Sequence, residues 1–322
     1  MKRFESTFAA LLAAACLLPC VASAQDYPSR PIRVLVGFPA GGASDIVARM
    51  VMQKTSEISG YNLVADNRPG AGGNLAFEAA ASAPPDGYTL LFSPPGIAIN
   101  PSLYTKVGFK SGDFKAISLV GEAPLLLMVR NGLPIKTVAE LVAASKKSPD
   151  AIRFASSGSG SSSHLATEVL KSMTGMQYLH VPYKGGAAAM TDLIGDRVDI
   201  SMLPISESLP YVRDGRARAL GQTGAKRSPI ATDIPTIEEG GVKGYSVATW
   251  YMLVGPAKMP PAIASQIEKK VDEAMKTAEL QNKLKGVGVT VINEGSRAAG
   301  EYLESESARW AKIVKATGTH VD

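Results

Sequence analysis

Apolar residues recur along this chain with two alternating periods. Short β-branched or aliphatic runs occupy Ile32–Gly37, Leu63–Asp66 and Tyr88–Phe92. After the first two, at 44–56 and 74–82, apolar positions return every three or four residues, the spacing of a helix face; a Pro- and Gly-rich loop follows the third. The alternation predicts βαβ units on a largely parallel sheet, since parallel neighbours need a crossover and a helix usually supplies it. Beyond apolar runs at Ile117–Gly121 and Leu125–Val129, Thr137-Val-Ala-Glu140 predicts a capping box, in which each side chain satisfies the other's backbone N–H. The second half repeats the theme. Strand Ile152–Ala155 leads to a helix at His164–Met173, strand Tyr178–Val181 leads to a helix at Ala187–Ile194, and Val198–Met202 is a further strand. Ser228–Thr236 is turn-rich, Val247–Val254 reads as a strand, and Pro260–Lys285 and Arg297–Ala316 read as amphipathic helices with charges such as Glu268-Lys269-Lys270 facing solvent.

The N-terminus follows neither period. Lys2 and Arg3 precede an apolar run from Phe8, which the small residues Ala22-Ser23-Ala24 close. Residues 1–24 therefore read as a secretory signal peptide; a membrane-spanning helix needs about 20 uninterrupted apolar residues, and Pro19 breaks this run. Both cysteines, Cys16 and Cys20, fall inside it, and Pro19 stands where a lipoprotein cleavage site requires a small residue. The 298 residues from Gln25 onward then carry no thiol, so neither disulfides nor a cysteine nucleophile are available to them.

Composition narrows the classes further. At 45% hydrophobic and 20% charged, the 322-residue chain is neither disordered nor collagen-like. A net charge of +5 without a basic cluster excludes a nucleic-acid footprint. The length suits one large or two medium domains, and 31 glycines with 21 prolines imply many short connections.

Three segments share one design: Gly37–Asp45, Ser156–His164 and Tyr183–Ala189. In each, a strand runs into glycines and a helix starts directly after them, so free N–H groups and the positive end of the helix dipole converge where an anion is welcome. Such turns are common singly. Three of them at the carboxyl ends of strands, the ligand-binding edge of an open α/β sheet, can converge on one cleft.

Other chemistry fails on inspection. Ser163 and Leu75 stand where Gly158-Ser-Gly160 and Gly70-Ala-Gly72 would need a third glycine to bind a dinucleotide, and no P-loop ending occurs. His164, His180 and His320 are too scattered for a metal site, and His180 reads as a core residue. No nucleophile elbow exists, and Ser161, Ser162 and Ser163 lie too near His164 in sequence for attack geometry, which makes a serine hydrolase a remote alternative. These serines read as hydroxyl donors and helix caps, with His164 as one more donor. Asp45 has two open readings: a carboxylate capping the first helical turn, or a contact to a hydroxyl, ammonium or bridging water of a ligand.

The residues then become recognisable. Tyr27-Pro-Ser-Arg-Pro-Ile-Arg-Val34, Phe38-Pro-Ala-Gly-Gly42 with Asp45 and Arg49, Asn67-Arg-Pro-Gly-Ala-Gly-Gly73, and Pro85-Asp-Gly-Tyr-Thr-Leu90 come first. Asn100-Pro-Ser-Leu-Tyr104, Ser157-Gly-Ser-Gly160 with His164-Leu165, His180-Val-Pro-Tyr-Lys-Gly185, and Pro235-Thr236 with Glu239 complete the set. Over nearly the whole chain beyond residue 24 the sequence resembles the Bug family, the periplasmic solute-binding proteins of tripartite tricarboxylate transporters. It departs at Gly37, where the family usually has a bulky or polar residue, and at Gly195-Asp-Arg-Val-Asp199, in place of Gly-Gly-Gln-Val-Asp.

The resemblance implies an α/β, two-lobed type II periplasmic-binding-protein fold, each lobe a mixed, mostly parallel sheet flanked by helices. Lobe one would be 25–123 plus 248–322 and lobe two 124–247, hinged near Ala123-Pro124 and Val247-Ala248. It implies a small carboxylate held in the cleft, with backbone N–H groups and ordered waters of the loop Phe38–Ser44 as its first contacts. Carried onto this chain, the ligand-binding set is Phe38, Pro39, Ala40, Gly41, Gly42, Ser44, Asp45 and Ser93 from lobe one. From lobe two it is Ser159, Gly160, Ser161, Ser163, His164, Tyr183, Gly185, Ala187 and Pro204. The resemblance further implies a periplasmic monomer without catalytic residues, cofactor or metal, delivering its solute to membrane permease subunits. Presentation of the ligand to a signalling receptor is the alternative.

Overall fold

The computed structural model describes residues 27–148 and 151–321, so the expected signal peptide 1–24 lies outside the described residues. Among these, strands β1 (Ile32–Val36), β2 (Leu63–Asn67) and β3 (Thr89–Ser93) are parallel, with α1 (Ala43–Ser59) and α2 (Asn74–Ala81) as crossovers. A second parallel block, β5 (Arg153–Ser156), β6 (Leu179–Pro182) and β7 (Ile200–Pro204), uses α5 (Ser162–Thr174) and α6 (Gly186–Ile194) in the same way. Between the blocks run two antiparallel strands, β4 (Phe114–Val129) and β9 (Ala248–Pro256). The sheet order is β2-β1-β3-β9-β4-β7-β5-β6, and β8 (Arg218–Gln222) and β10 (Thr290–Gly295) also pair with β4. The result is the two-lobed mixed α/β architecture that the resemblance implies.

β4 replaces two expected strands with one of 16 residues. Of Gly121 and Pro124, which normally punctuate a strand, Gly121 stays paired with Tyr251 and Val291, and Pro124 marks where the strand changes partners. β9 pairs with it as far as Pro124↔Ala248, and from Leu125↔Pro204 and Leu126↔Gln222 onward β7 and β8 take over. A residue without an N–H is tolerated where one ladder ends and another begins. The single helix expected over 260–285 is two, α8 (Pro261–Met275) and α9 (Ala278–Gly286), because Thr277 caps the second by accepting from Leu280 N–H at 3.4 Å. Helices α3 (Gly96–Leu103) and α7 (Ile205–Arg213) were not anticipated; each carries an internal proline, Pro101 and Pro210. In α4 (Val138–Lys147) Thr137 caps as expected, accepting from Glu140 N–H at 3.1 Å, but the Glu140 carboxylate reaches Lys136 N–H, one residue before the cap.

The apolar faces predicted by period build separate cores. Val34, Val36 and Phe92 pack with Val47 and Val51 of α1 and Ile267 of α8. On the other side of β4, Leu125, Leu127, Phe154 and Leu165 form a second core. The long helix α10 (Ser296–Thr317) serves both lobes: its Ala299 and Leu303 pack with Phe77 and Trp250, whereas its Trp310 and Val314 insert into the second core.

Candidate functional site

Four strand-to-helix turns, β1 to α1, β5 to α5, β6 to α6 and β7 to α7, emerge at the carboxyl ends of their strands and enclose a cavity of about 220 Å³. Phe38, Pro39, Ala40, Gly42 and Ser44 line it from the first turn, Ser161 and Ser163 from the second, Gly185 and Ala187 from the third, and Pro204 from the fourth. Ser159 and Tyr183 face an adjoining cavity instead, shared with Gly70–Gly73 and Tyr104.

Five expected site residues line neither cavity. Asp45 is 2% exposed and accepts from Gly41 N–H at 2.9 Å, Arg49 Nε at 2.8 Å and Asn67 Nδ2 at 2.9 Å, so it holds the first loop in shape from behind. Burial works against its charge, but these hydrogen bonds outweigh it and keep the carboxyl below its usual pKa. Gly41 (φ +80°) supplies the turn that aims its N–H at Asp45. The Ser93 hydroxyl is turned onto Pro94 O at 2.8 Å. Gly160 lies against Asn100 and Tyr104. His164, expected as a donor, accepts at Nδ1 from Gly160 N–H (3.3 Å) and stacks on His180 with centroids 4.3 Å apart. Desolvation lowers both imidazoles, His164 to about 4 and His180 to about 3, so both are neutral near pH 7. The Ser–His pair that does form, Ser156 Oγ to His180 Nε2 at 2.7 Å, lies off the cavity with Ser156 fully buried.

Of the helix starts facing the cavity, only that of α5 has a side-chain cap, Ser161 Oγ accepting from His164 N–H at 3.3 Å. Gly42 and Gly185 cap α1 and α6 without any side-chain bond. Backbone N–H groups of Ser44, Ser162, Ser163, Gly186 and Ala187 have no hydrogen-bond partner among the described residues. One N–H is taken: Ala43 donates to Glu207 Oε1 at 2.5 Å. Glu207 reaches there from the first turn of α7. Its second oxygen, Oε2, is buried without a partner, as are the Tyr251 hydroxyl and Ser163 Oγ. Burial pushes the Glu207 carboxyl up.

Glu207, Thr249 and Tyr251 line the cavity and were missed in the sequence. The turn that delivers Glu207, Leu203-Pro204-Ile205, contains no glycine, so a search for glycine-rich turns passes over it; the resemblance reached Pro204 in this turn but not Glu207.

The lobes touch across the mouth of the cleft. Tyr104 donates its hydroxyl hydrogen to Ser159 O at 2.8 Å, and Ser162 Oγ bonds Thr249 Oγ1 at 3.0 Å. Glycines make these approaches possible: a Cβ on Gly72 would stand 2.1 Å from Ser159 O, and one on Gly185 2.8 Å from Pro39 Cγ. The cleft is closed. Among the described residues no helix is long and apolar enough to cross a membrane.

Known proteins resemble this chain over most of its length. A profile of the tripartite tricarboxylate transporter family receptor (TctC) matches residues 47–319. BugT of Bordetella pertussis is 31% identical over 299 residues, covering 92% of each chain. The structure of R. palustris Rpa4515 with adipate superposes with a TM-score of 0.87 at 34% identity, covering 92% of this chain and 99% of that one. MatC from Rhodopseudomonas palustris, with bound malate, gives 0.84 at 28% identity over 89% of this chain and all of that one. With bare helix starts closing on a cleft between two lobes, and with matches of this extent, the chain belongs to the TctC, or Bug, family of solute-binding receptors of tripartite tricarboxylate transporters.

Proposed function

We propose that this protein captures a small carboxylate in the cleft between lobes 25–123 plus 248–322 and 124–247, and hands it to the permease subunits of a tripartite tricarboxylate transporter in the periplasm. The observation that carries the reading is the set of unpartnered N–H groups at the starts of α1, α5 and α6, all facing one closed cavity. Helix dipoles and oriented N–H groups favour negative charge without any arginine, and the cavity's single basic side chain, Lys184, is exposed. The relatives' adipate and malate support the same class. Two or three charge-assisted hydrogen bonds at about 1.5–3 kcal/mol each, less the cost of immobilising the ligand, correspond to roughly micromolar affinity.

The cycle is capture by an open form, then closure. Phe38–Ser44 make the first contacts, and Ser161–Ser163, Gly185–Ala187 and Pro204 close over the solute by rotation at the β4 and β9 crossings. Contacts made only in the shut form let the ligand shift the population toward it. A thermal-shift screen of mono-, di- and tricarboxylates identifies the ligand, and calorimetry then measures Gly42→Val, where a side chain would meet Pro39 O at 3.2 Å. Binding should be abolished with the fold retained. Unchanged heats would overturn the site.

A further inference from the structure

Resting on that reading of the cleft, the side chain of Glu207 narrows the ligand further. Glu207 is the only acidic residue lining the cavity. One of its oxygens takes Ala43 N–H, and the other is buried with no donor, as is the nearby Tyr251 hydroxyl. That oxygen packs against Gly186: a Cβ there would stand 1.7 Å from Oε2, so the position admits glycine alone while Glu207 stays where it is. Burial already works against a charge on Glu207, and a solute bringing two carboxylates would work further against it in about 220 Å³ with no buried cation to offset either, whereas a protonated amine would stabilise the carboxylate. A solute bringing one carboxylate and one protonated amine meets both needs, the acid on the bare helix starts and the N–H donors on Oε2.

We propose that Glu207 receives a protonated amine of the solute, so that the cleft selects a small zwitterionic amino-carboxylate over a di- or tricarboxylate. The decisive experiment is calorimetry of the purified protein against amino acids of three to six carbons. Beside them run dicarboxylates in which a carboxylate replaces the amine, and amides in which the acid is neutralised. The best amino acid should bind at least tenfold more tightly than its matched dicarboxylate. Glu207→Gln should weaken that amino acid at least tenfold and close the gap between the two. Gly186→Ala, which displaces the carboxylate without removing it, should do the same and serves if Glu207→Gln does not fold. A dicarboxylate preferred by the wild type, or an unchanged ranking in both variants, overturns the zwitterion while leaving the carboxylate reading standing. Amides that bind as well as their parent acids, or a panel in which nothing binds, overturn both.

Discussion

A single methyl group at position 72 separates closure of the cleft from integrity of the fold. Gly72 has φ +63°, and its added Cβ would lie 2.1 Å from Ser159 O, across the seam. Alanine there meets two penalties. The left-handed backbone costs about 1–2 kcal/mol wherever it occurs. The steric penalty exists only when the lobes are shut, and relieving it means withdrawing Ser159 from 2.1 Å to the 3.4 Å or more of ordinary contact. Gly60 isolates the first penalty, since it has φ +73° with nothing within 4 Å of its would-be Cβ. Gly72→Ala should therefore lose as much folding stability as Gly60→Ala. In addition it should forfeit seam hydrogen bonds such as Tyr104 to Ser159 and Ser162 to Thr249. Two such bonds at about 1 kcal/mol each amount to roughly a 30-fold weaker Kd. Calorimetry supplies the Kd, urea unfolding the stability, and small-angle scattering the expected expansion of the liganded form. If Gly72→Ala and Gly60→Ala bind within twofold of each other, the seam does not control affinity and the closure argument fails.

Two further outcomes concern buried titratable groups. Asp45→Asn keeps the shape but sets an amide donor among the donors of Gly41, Arg49 and Asn67, and should cost about 1–3 kcal/mol in urea unfolding, with weaker solute binding because the first loop loosens. Because the folded pKa of Asp45 lies below the usual value, its stabilisation is present above about pH 4 and is lost as pH falls through the folded value, an acid limb that the asparagine variant should lack. The histidines act at higher pH. With folded values of about 4 and 3 against 6.5 in the unfolded chain, His164 and His180 contribute fully above pH 6.5 and lose stability as pH falls toward the folded values. The slope should approach about 1.4 kcal/mol per pH unit for each, and urea midpoints that stay flat from pH 7 to 4.5 would contradict their burial as neutral rings.

Periodicity made the parallel blocks legible because each strand there is short and flanked by its own helix. It failed at β4, where Gly121 and Pro124 carry the local chemistry of a break while partners on both sides keep the strand going, a non-local effect. It failed again between α8 and α9, where the cap at Thr277 overrides a continuous apolar stripe. At the site, glycine-rich turns pointed to the correct edge of the sheet, since glycine reports backbone shape. They could not tell a residue facing the cavity from one behind it. Asp45 and Ser163 both stand in the first turn of a helix, yet only Ser163 lines the cavity. Glu207 and Tyr251 come from a glycine-free turn and from a central strand, and only the folded chain brings them together.

Helix α10 ties the two lobes on a line that does not coincide with the strand crossings. Ala299 and Leu303 are seated in one lobe, while Trp310 and Val314 are seated in the other. In the proposed rotation about the adjacent strands β4 and β9, a rod anchored on both sides of that axis must slide in its sockets whenever the angle changes. Trp310, 2% exposed, is the largest side chain in those sockets, and interiors at protein density shift between discrete arrangements rather than yielding smoothly. In the proposed cycle the helix would work as a detent. It would make opening a barrier crossing, so that the time a solute stays aboard would be governed far from the cleft that recognises it.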